Sequence, residues 1–118
     1  MADTVWIRQV RPEELAPVAG LQGRWKRYLT AARENRAMVF GMGELQPGEV
    51  AGWHEHPEPE IFFVFEGRGE ARWREAGQER RGELRPGVAF FKVGGIPHQM
   101  INTGDAPLRG VFFKVETA

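Results

Sequence analysis

All three histidines of this chain lie in two short segments whose spacing could hold a metal ion. His54 and His56 are two residues apart, so on a β-strand their side chains project from the same face. Two such imidazoles can converge on one ion and bond it at about 2.0–2.1 Å. The turn at residues 57–59 then reverses the chain, and Glu60 can present a carboxylate to the same point from the next strand. His98 would supply a third nitrogen.

Three neutral imidazoles and one carboxylate suit a divalent transition metal, and Fe(II), Mn(II), Ni(II), Co(II) and Zn(II) all stay open. The spacing by itself is weak evidence, because a His-x-His pair on a strand is more often two ordinary surface or core histidines. Glu58 is the rival carboxylate. It lies between two prolines in the turn, so we expect it to face solvent.

The elements that must position these residues are short β-strands. Fifteen glycines and eight prolines divide the 118 residues into short runs rich in β-branched and aromatic side chains. The runs predict strands at residues 5–10, 25–29, 37–45, 52–56, 61–66, 70–74, 78–84, 88–93, 98–102 and 108–115. Only residues 12–18, with Pro12 at a first helical position, and 28–35 could be helical. The pattern predicts one all-β domain, a sandwich or barrel, because the long helices of βαβ units are lacking.

Composition excludes several classes of function. Sixteen Lys and Arg residues balance sixteen Asp and Glu residues, so no net charge is available to hold nucleic acid or an anionic membrane. The chain has no cysteine and no serine, which excludes disulfides, thiolate metal sites and nucleophiles of either type. No stretch approaches the ~18 apolar residues of a membrane span. We therefore expect a cytoplasmic protein that binds neither nucleic acid nor membrane.

Two segments resemble the conserved motifs of the cupin superfamily. Residues 48–67 are similar to the first motif, G-x5-H-x-H-x3-E-x6-G, at every fixed position. Residues 87–102 are similar to the second motif, G-x5-P-x-G-x2-H-x3-N, through Gly87, Gly95, His98 and Asn102. Val93 stands where the second motif has proline. That proline shapes a turn and binds no metal, so the ligand set is unaffected.

The resemblance implies a small single-domain cupin over residues 1–118. Its fold would be a jelly-roll β-barrel, or double-stranded β-helix, with a short helical or irregular N-terminal segment. The resemblance also implies that one divalent ion is held inside the barrel by His54, His56, Glu60 and His98. The motif residues that would shape turns instead are Gly48, Gly67, Gly87, Gly95 and Asn102.

An ion with these ligands keeps a positive charge and, if six-coordinate, two open positions, which favours a small chelating oxyanion as substrate. Dioxygenases, isomerases, decarboxylases and lyases of the family share such ligands, so the ligands do not name the reaction. We expect a metal-dependent enzyme, a dioxygenase or an isomerase. The alternatives are a non-enzymatic cupin that binds or senses a small ligand, and a structural cupin with a vestigial metal site.

Alternation along the strands predicts which side chains line the cavity. Met100 shares the parity of His98, and Phe62 and Val64 share that of Glu60. The strand at 37–45 offers one of two sets, and the bulky set is Met38, Phe40 and Met42; the other is Ala37, Val39 and Gly41. The possible anion partners, each of which could equally be a solvated surface charge, are Lys92, Lys114, Arg27 and Arg36.

The strand at residues 61–65 is apolar at both parities, so both of its faces must be covered. Residues 90–91 and 111–113 repeat this pattern. The outer cover could be the N-terminal segment of the same chain or a second subunit. The cupin resemblance favours the second subunit, and we expect a homodimer.

Overall fold

The computed structural model of the chain describes residues 7–30 and 37–116. This part of the chain forms two antiparallel β-sheets and one turn of 3-10 helix, Pro12–Glu14. The strands are β1 (Ala16–Pro17), β2 (Arg24–Leu29), β3 (Met38–Leu45), β4 (Val50–His54), β5 (Glu60–Glu66), β6 (Gly69–Glu75), β7 (Gln78–Leu84), β8 (Ala89–Lys92), β9 (His98–Asn102) and β10 (Leu108–Val115). One sheet has the order β1-β2-β3-β10-β5-β8 and the other β4-β9-β6-β7. The all-β expectation is confirmed.

Strands β2 to β10 each match a run predicted from the sequence, with small shifts at their ends. The N-terminal predictions are wrong. Residues 7–10 form no strand, and the helix expected at 12–18 is a single 3-10 turn that Pro12 begins. The helix expected at 28–35 starts inside β2, while residues 5–6 and 31–36 lie outside the described part. Within residues 7–30 and 37–116, no helix has the length and apolarity that a bilayer crossing requires.

The main core lies between the two sheets, because inward-facing side chains of both pack in one cluster. Phe62, Val64 and Phe112 come from the larger sheet, and Leu84 and Met100 come from the smaller one. Burial of each large apolar side chain contributes about 1.5–3 kcal/mol to the free energy of unfolding. This cluster therefore holds the two sheets together and supports the histidines.

The two faces of β3 belong to different clusters. Val39 faces the main core, whereas Met42 packs with Leu15 and Tyr28 in a second cluster. Phe40 is partly buried against that second cluster. The N-terminal segment and β2 thus cover the outer side of β3, and Val111 of β10 packs against the same cluster.

Another part of the larger sheet has no such cover from the described residues. We define the outer apolar face as Ile61, Phe63, Phe65, Phe91 and Phe113, whose exposure runs from 36% at Ile61 to 60% at Phe91. Phe113, Ile61 and Phe91 are direct neighbours in register across β10, β5 and β8. Strand β5 is apolar on both faces, as expected, and its outer face is exposed in this chain.

The turns next to the expected ligands depend on special residues. Asn102 is buried, and its side-chain amide donates to the carbonyls of Leu45, at 2.9 Å, and Ala106, at 2.8 Å. Four motif glycines have positive φ, between 82° and 92°, a region that other residues rarely adopt; they are Gly48, Gly67, Gly87 and Gly95. These residues shape turns, as the motif resemblance implies.

A buried carboxylate joins three strands of the larger sheet. Glu44 on β3 is 1% exposed and lies in register with Arg24 on β2 and Arg109 on β10. The Nε of Arg24 donates to it at 2.9 Å, and the Nε of Arg109 at 2.6 Å. Burial by itself would raise the pKa of Glu44, but the two guanidinium groups outweigh it and hold that pKa below its usual range.

We predict that Glu44→Gln lowers the free energy of unfolding at pH 7 by about 3 kcal/mol, because two arginines lose a buried charged partner. Since the folded state lowers the pKa of Glu44, its stabilisation exists above the unfolded pKa and is lost as the pH falls through the folded one. Urea unfolding should therefore show that the difference in free energy of unfolding between the variant and the wild type becomes smaller below about pH 4.

The control is Glu66→Gln, which removes a half-exposed carboxylate that pairs with Arg109. We expect it to cost less than about 1 kcal/mol. Equal losses for the two variants, or a Glu44→Gln loss that does not change with pH, would contradict this account.

Candidate metal centre

The structure brings the three histidines together at one end of the space between the sheets. His54 ends β4, His98 begins β9, and the two lie opposite each other in register. Their ring centroids are 4.2 Å apart, and the ring of His56 lies 5.3 Å from that of His98. One ring nitrogen from each histidine lies within 4.8 Å of those of the other two. A single ion can therefore reach all three.

His54 and His56 come together in a different way from the one that we expected. Strand β4 ends at His54, and His56 lies in the following loop, so a shared strand face does not align them. The loop after β8 holds His56 instead, since the backbone N–H of Gly95 donates to its carbonyl at 2.8 Å. Gly94 packs so closely that an added Cβ would lie 1.9 Å from the carbonyl oxygen of Pro57. The close approach of two loops thus sets the third ligand.

Hydrogen bonds to the backbone fix the tautomer of every ring. The Nδ1 atoms of His54, His56 and His98 lie 2.7, 2.8 and 2.8 Å from the carbonyl oxygens of residues 52, 58 and 96. A carbonyl can only accept, so each Nδ1 carries a proton, and in the neutral ring the lone pair is then on Nε2. That is the arrangement of histidines that ligate metals through Nε2.

His98 carries the clearest sign of a missing partner. Its side chain is 2% exposed, and among the described residues its Nε2 has no hydrogen-bond partner. Burial lowers the pKa of His98 to about 4, and the nearby charge of Lys92 acts in the same direction. The ring is therefore neutral near pH 7, and its buried lone pair fits a metal ion.

Glu60 begins β5 and approaches the histidines from the neighbouring sheet. Its Oε1 lies 3.5 Å from Nε2 of His56 and 3.9 Å from Nε2 of His98. Burial would raise the pKa of Glu60, but Lys92 lies 3.1 Å from Oε1 and holds that pKa below its usual range. The carboxylate is therefore ionised beside the cluster. The group of ligand atoms that all lie within 4.8 Å of one another consists of one nitrogen from each histidine and does not include Glu60.

Glu58 is placed differently from Glu60. Its Oε1 lies 3.5 Å from Nδ1 of His56, on the opposite edge of the ring from Nε2, and its side chain is 20% exposed. The carboxylate is half-buried against the loop, where we expected it in solvent. Glu58 thus faces the Nδ1 edge of His56, whereas Glu60 faces its Nε2 edge.

The histidines open into a cavity of about 370 Å³ whose lining includes both apolar and basic residues. Of the residues predicted to line it, Phe62 and Met100 do so. The apolar residues that sequence reasoning missed are Val18, Leu21, Trp25, Ala51 and Phe112. The 3-10 turn and irregular chain before β2 gave no periodic signal that would have placed the first two.

Four other predicted lining residues lie elsewhere. Val64 is fully buried in the main core. Phe40 and Met42 lie on the outer side of β3 in the second cluster, and Met38, of the same parity, is 43% exposed. The cavity lining includes none of the four. For the three residues of β3 the physical reason is the parity of that strand, because its odd-numbered residues face inward.

The basic residues of the lining are Lys26, Arg27 and Lys114, but the Nζ of Lys26 lies 5.5 Å from the ring centroid of Tyr28, on the outer side of β3. Arg27 and Lys114 were expected as anion partners, whereas Lys26 was not. Glu116 lies 3.2 Å from Nζ of Lys114 and 3.8 Å from an Nη atom of Arg27. Arg36, the other expected partner, lies outside the described residues.

Lys92 is not on the surface. It is 4% exposed, its Nζ lies 4.4 Å from the ring centroid of Phe90, and its ion pair with Glu60 faces the histidines. Burial lowers the pKa of Lys92, although the charge of Glu60 opposes the shift. Alternation along β8 could have predicted that Lys92 is buried, because the buried Phe90 has the same parity.

Comparisons with known proteins agree with this geometry. A family model described as a cupin domain matches residues 41–114. A cupin 2 conserved barrel domain protein from Salinispora arenicola is 23% identical, with a TM-score of 0.74 over 97% of this chain and 91% of that one. The expected jelly-roll barrel is thereby confirmed. Among curated proteins no significant match is found.

Two further solved structures are 25% identical to this chain. One, from Thermotoga maritima, is named a predicted oxalate decarboxylase, and its TM-score is 0.71 over 92% of this chain and 98% of that one. The other, from Bacillus halodurans, has a TM-score of 0.64 over 70% of this chain. The match spans 64% of that protein's length.

Proposed function

Because this chain belongs to the cupin family, we propose that it binds one divalent transition-metal ion through His54, His56 and His98, with Glu60 as fourth ligand. We further propose that the loaded protein is an enzyme acting on a small anionic molecule. The observation that carries the proposal is the set of three Nδ1–carbonyl hydrogen bonds. In the neutral rings they leave the lone pairs on the three Nε2 atoms, and the Nε2 of His98 is buried without a partner in the described chain.

The donor set fits Fe(II), Mn(II), Ni(II), Co(II) or Zn(II). When bound, such an ion would polarise a carbonyl or phosphoryl oxygen, or hold a chelating oxyanion at its open positions. The rest of the chemistry belongs to the chain. The imidazole of His98 stays neutral, and the apolar wall formed by residues such as Phe62 and Phe112 displaces water from one side of the substrate. We propose that the reaction is that of a dioxygenase or an isomerase.

Two cationic side chains support an anionic substrate. Arg27 and Lys114 line the cavity, and Glu60 is the only carboxylate among its described lining residues. The Thermotoga maritima protein, named a predicted oxalate decarboxylase, would act on a small chelating dianion. We propose the same chemical class for this chain. A non-enzymatic ligand-binding cupin remains the second candidate, and turnover of a bound anion separates the two.

We predict that protein purified without chelator contains close to one divalent metal ion per chain by elemental analysis. His54→Ala and His98→Ala should contain less than about a tenth of that amount, because each removes a nitrogen ligand. Removal of the ion with a chelator should lower the melting temperature of the wild type by several degrees and leave the two variants unchanged. Metal content should also fall as the pH is lowered, because protons compete with the ion for the imidazole nitrogens.

The matched control is Glu55→Gln, an exposed neighbour between the two histidines, which should retain the metal. A wild type that holds no stoichiometric metal, after incubation with any of the five ions, would remove the proposed function.

We predict that the zinc-loaded protein binds oxalate, as a chelating dianion, more tightly than acetate in calorimetric titrations. Lys114→Met and Arg27→Met should each weaken oxalate binding about tenfold, because each removes a positive charge from the cavity wall. The control is Arg80→Met, which removes an equal charge from an exposed hairpin position. Equal affinity for the two anions, or equal losses at all three positions, would show that the wall does not select for charge.

We also propose that a second copy of this chain covers the outer apolar face. Its five side chains expose an area on the order of several hundred Å², more than monomeric proteins usually leave as one patch. A standard interface buries about 800 Å² on each partner, which this face supplies together with a polar rim. Exposed neighbours such as Val93 and Val115, at 56% and 39% exposure, add to it.

Sedimentation equilibrium should therefore give the mass of a dimer for the wild type. Phe91→Arg should give a folded monomer, because the guanidinium would be buried unpaired in the interface. Ile7→Arg is the control, an equal change at a residue that is 98% exposed and lies outside the outer apolar face. A monomeric wild type, or a dimer that survives Phe91→Arg, would contradict this proposal.

A further inference from the structure

One oxygen atom at the metal centre has two possible partners. Glu60 lies in register between Lys114 on β10 and Lys92 on β8, and all three side chains face inward. Oε1 of Glu60 lies 3.1 Å from Nζ of Lys92. The same oxygen faces Nε2 of His56 at 3.5 Å. A metal ion at the histidines and the ammonium of Lys92 would therefore share one carboxylate.

The two lysines of this row differ in what balances their charge. Lys114 lies 3.2 Å from Glu116, so its charge is balanced at the mouth of the cavity. Lys92 is buried, and its ion pair in the described chain is with Glu60. Lys92 thus cancels the charge that a carboxylate ligand would contribute. A 2+ ion with one carboxylate would leave the centre at net 1+, and the ammonium returns the total to 2+.

We propose that Lys92 is a positioning residue of the metal centre, which draws the Glu60 carboxylate towards itself and so weakens metal binding while strengthening anion binding. The inference rests on the proposed metal site. A neutral hydrogen-bond donor behind a ligand normally orients that ligand and improves metal affinity. A buried ammonium differs, because its full charge competes with the ion for the carboxylate and is weakly screened.

The first experiment measures zinc affinity by competition with a chromophoric chelator. Lys92→Met keeps the length and apolar stem of the side chain and removes the charge, and it should bind zinc at least tenfold more tightly than the wild type. Lys114→Met, the control in the same row, should change the affinity less than threefold. In a Glu60→Gln background, Lys92→Met should also change it less than threefold, because no carboxylate is then shared.

The second experiment uses the zinc-loaded variants and oxalate. Lys92→Met should bind oxalate at least fivefold more weakly, since the centre loses one positive charge. Tighter metal binding combined with weaker anion binding is a signature that general loss of structure would not produce. Lys92→Arg, which keeps the charge, should bind zinc and oxalate with affinities close to those of the wild type.

The inference is overturned if Lys92→Met binds zinc with unchanged or lower affinity, or if its gain persists undiminished in the Glu60→Gln background. Should Lys92→Met fail to fold, as judged by circular dichroism, Glu60→Gln alone decides the matter. Glu60→Gln should weaken zinc binding less than tenfold, whereas His98→Ala should weaken it at least a hundredfold; equal losses overturn the inference. If the wild type and the variants all bind no zinc, the proposed metal site itself fails.

Discussion

Three imidazoles face one point because the backbone holds the far side of each ring. The carbonyls that accept from Nδ1 lie two residues away from His54, His56 and His98, so short local contacts decide where three Nε2 lone pairs go. This arrangement is unfavourable without a partner, since a buried acceptor such as Nε2 of His98 loses its hydration. A metal ion would satisfy all three atoms together, and the chemistry that we propose follows from that requirement.

The barrel converts this local arrangement into a selective site. Register between β4 and β9 sets His54 against His98, and the contact of two loops adds His56. The larger sheet contributes Glu60 from the opposite side, together with a lysine on each neighbouring strand. The charged groups near the ion therefore belong partly to the ligand set and partly to the cavity wall. In our proposals, Lys92 offsets the charge of the carboxylate, and the cations at the mouth attract an anionic substrate.

Much of this structure could be predicted from the sequence. Turn residues and period-two runs located β2 to β10, and the two motifs selected the residues that the structure brings together. The parity of β3 was missed, because Phe40 and Met42 are as apolar as Val39 and alternation cannot tell which face is inside. Gly41 was the overlooked signal: its Cβ would collide with the ring of Phe112, which needs that space inside the barrel. The burial of Lys92 also depends on tertiary pairing, which composition does not report.

The central claim is that His54, His56 and His98 bind one cation through Nε2. It is tested most directly by crystals of the protein soaked in Co²⁺, with anomalous difference maps recorded above and below the cobalt absorption edge. The account requires one strong peak about 2.0–2.2 Å from all three Nε2 atoms. No peak at this position, or a peak bonded to fewer than two of the three rings, would contradict it.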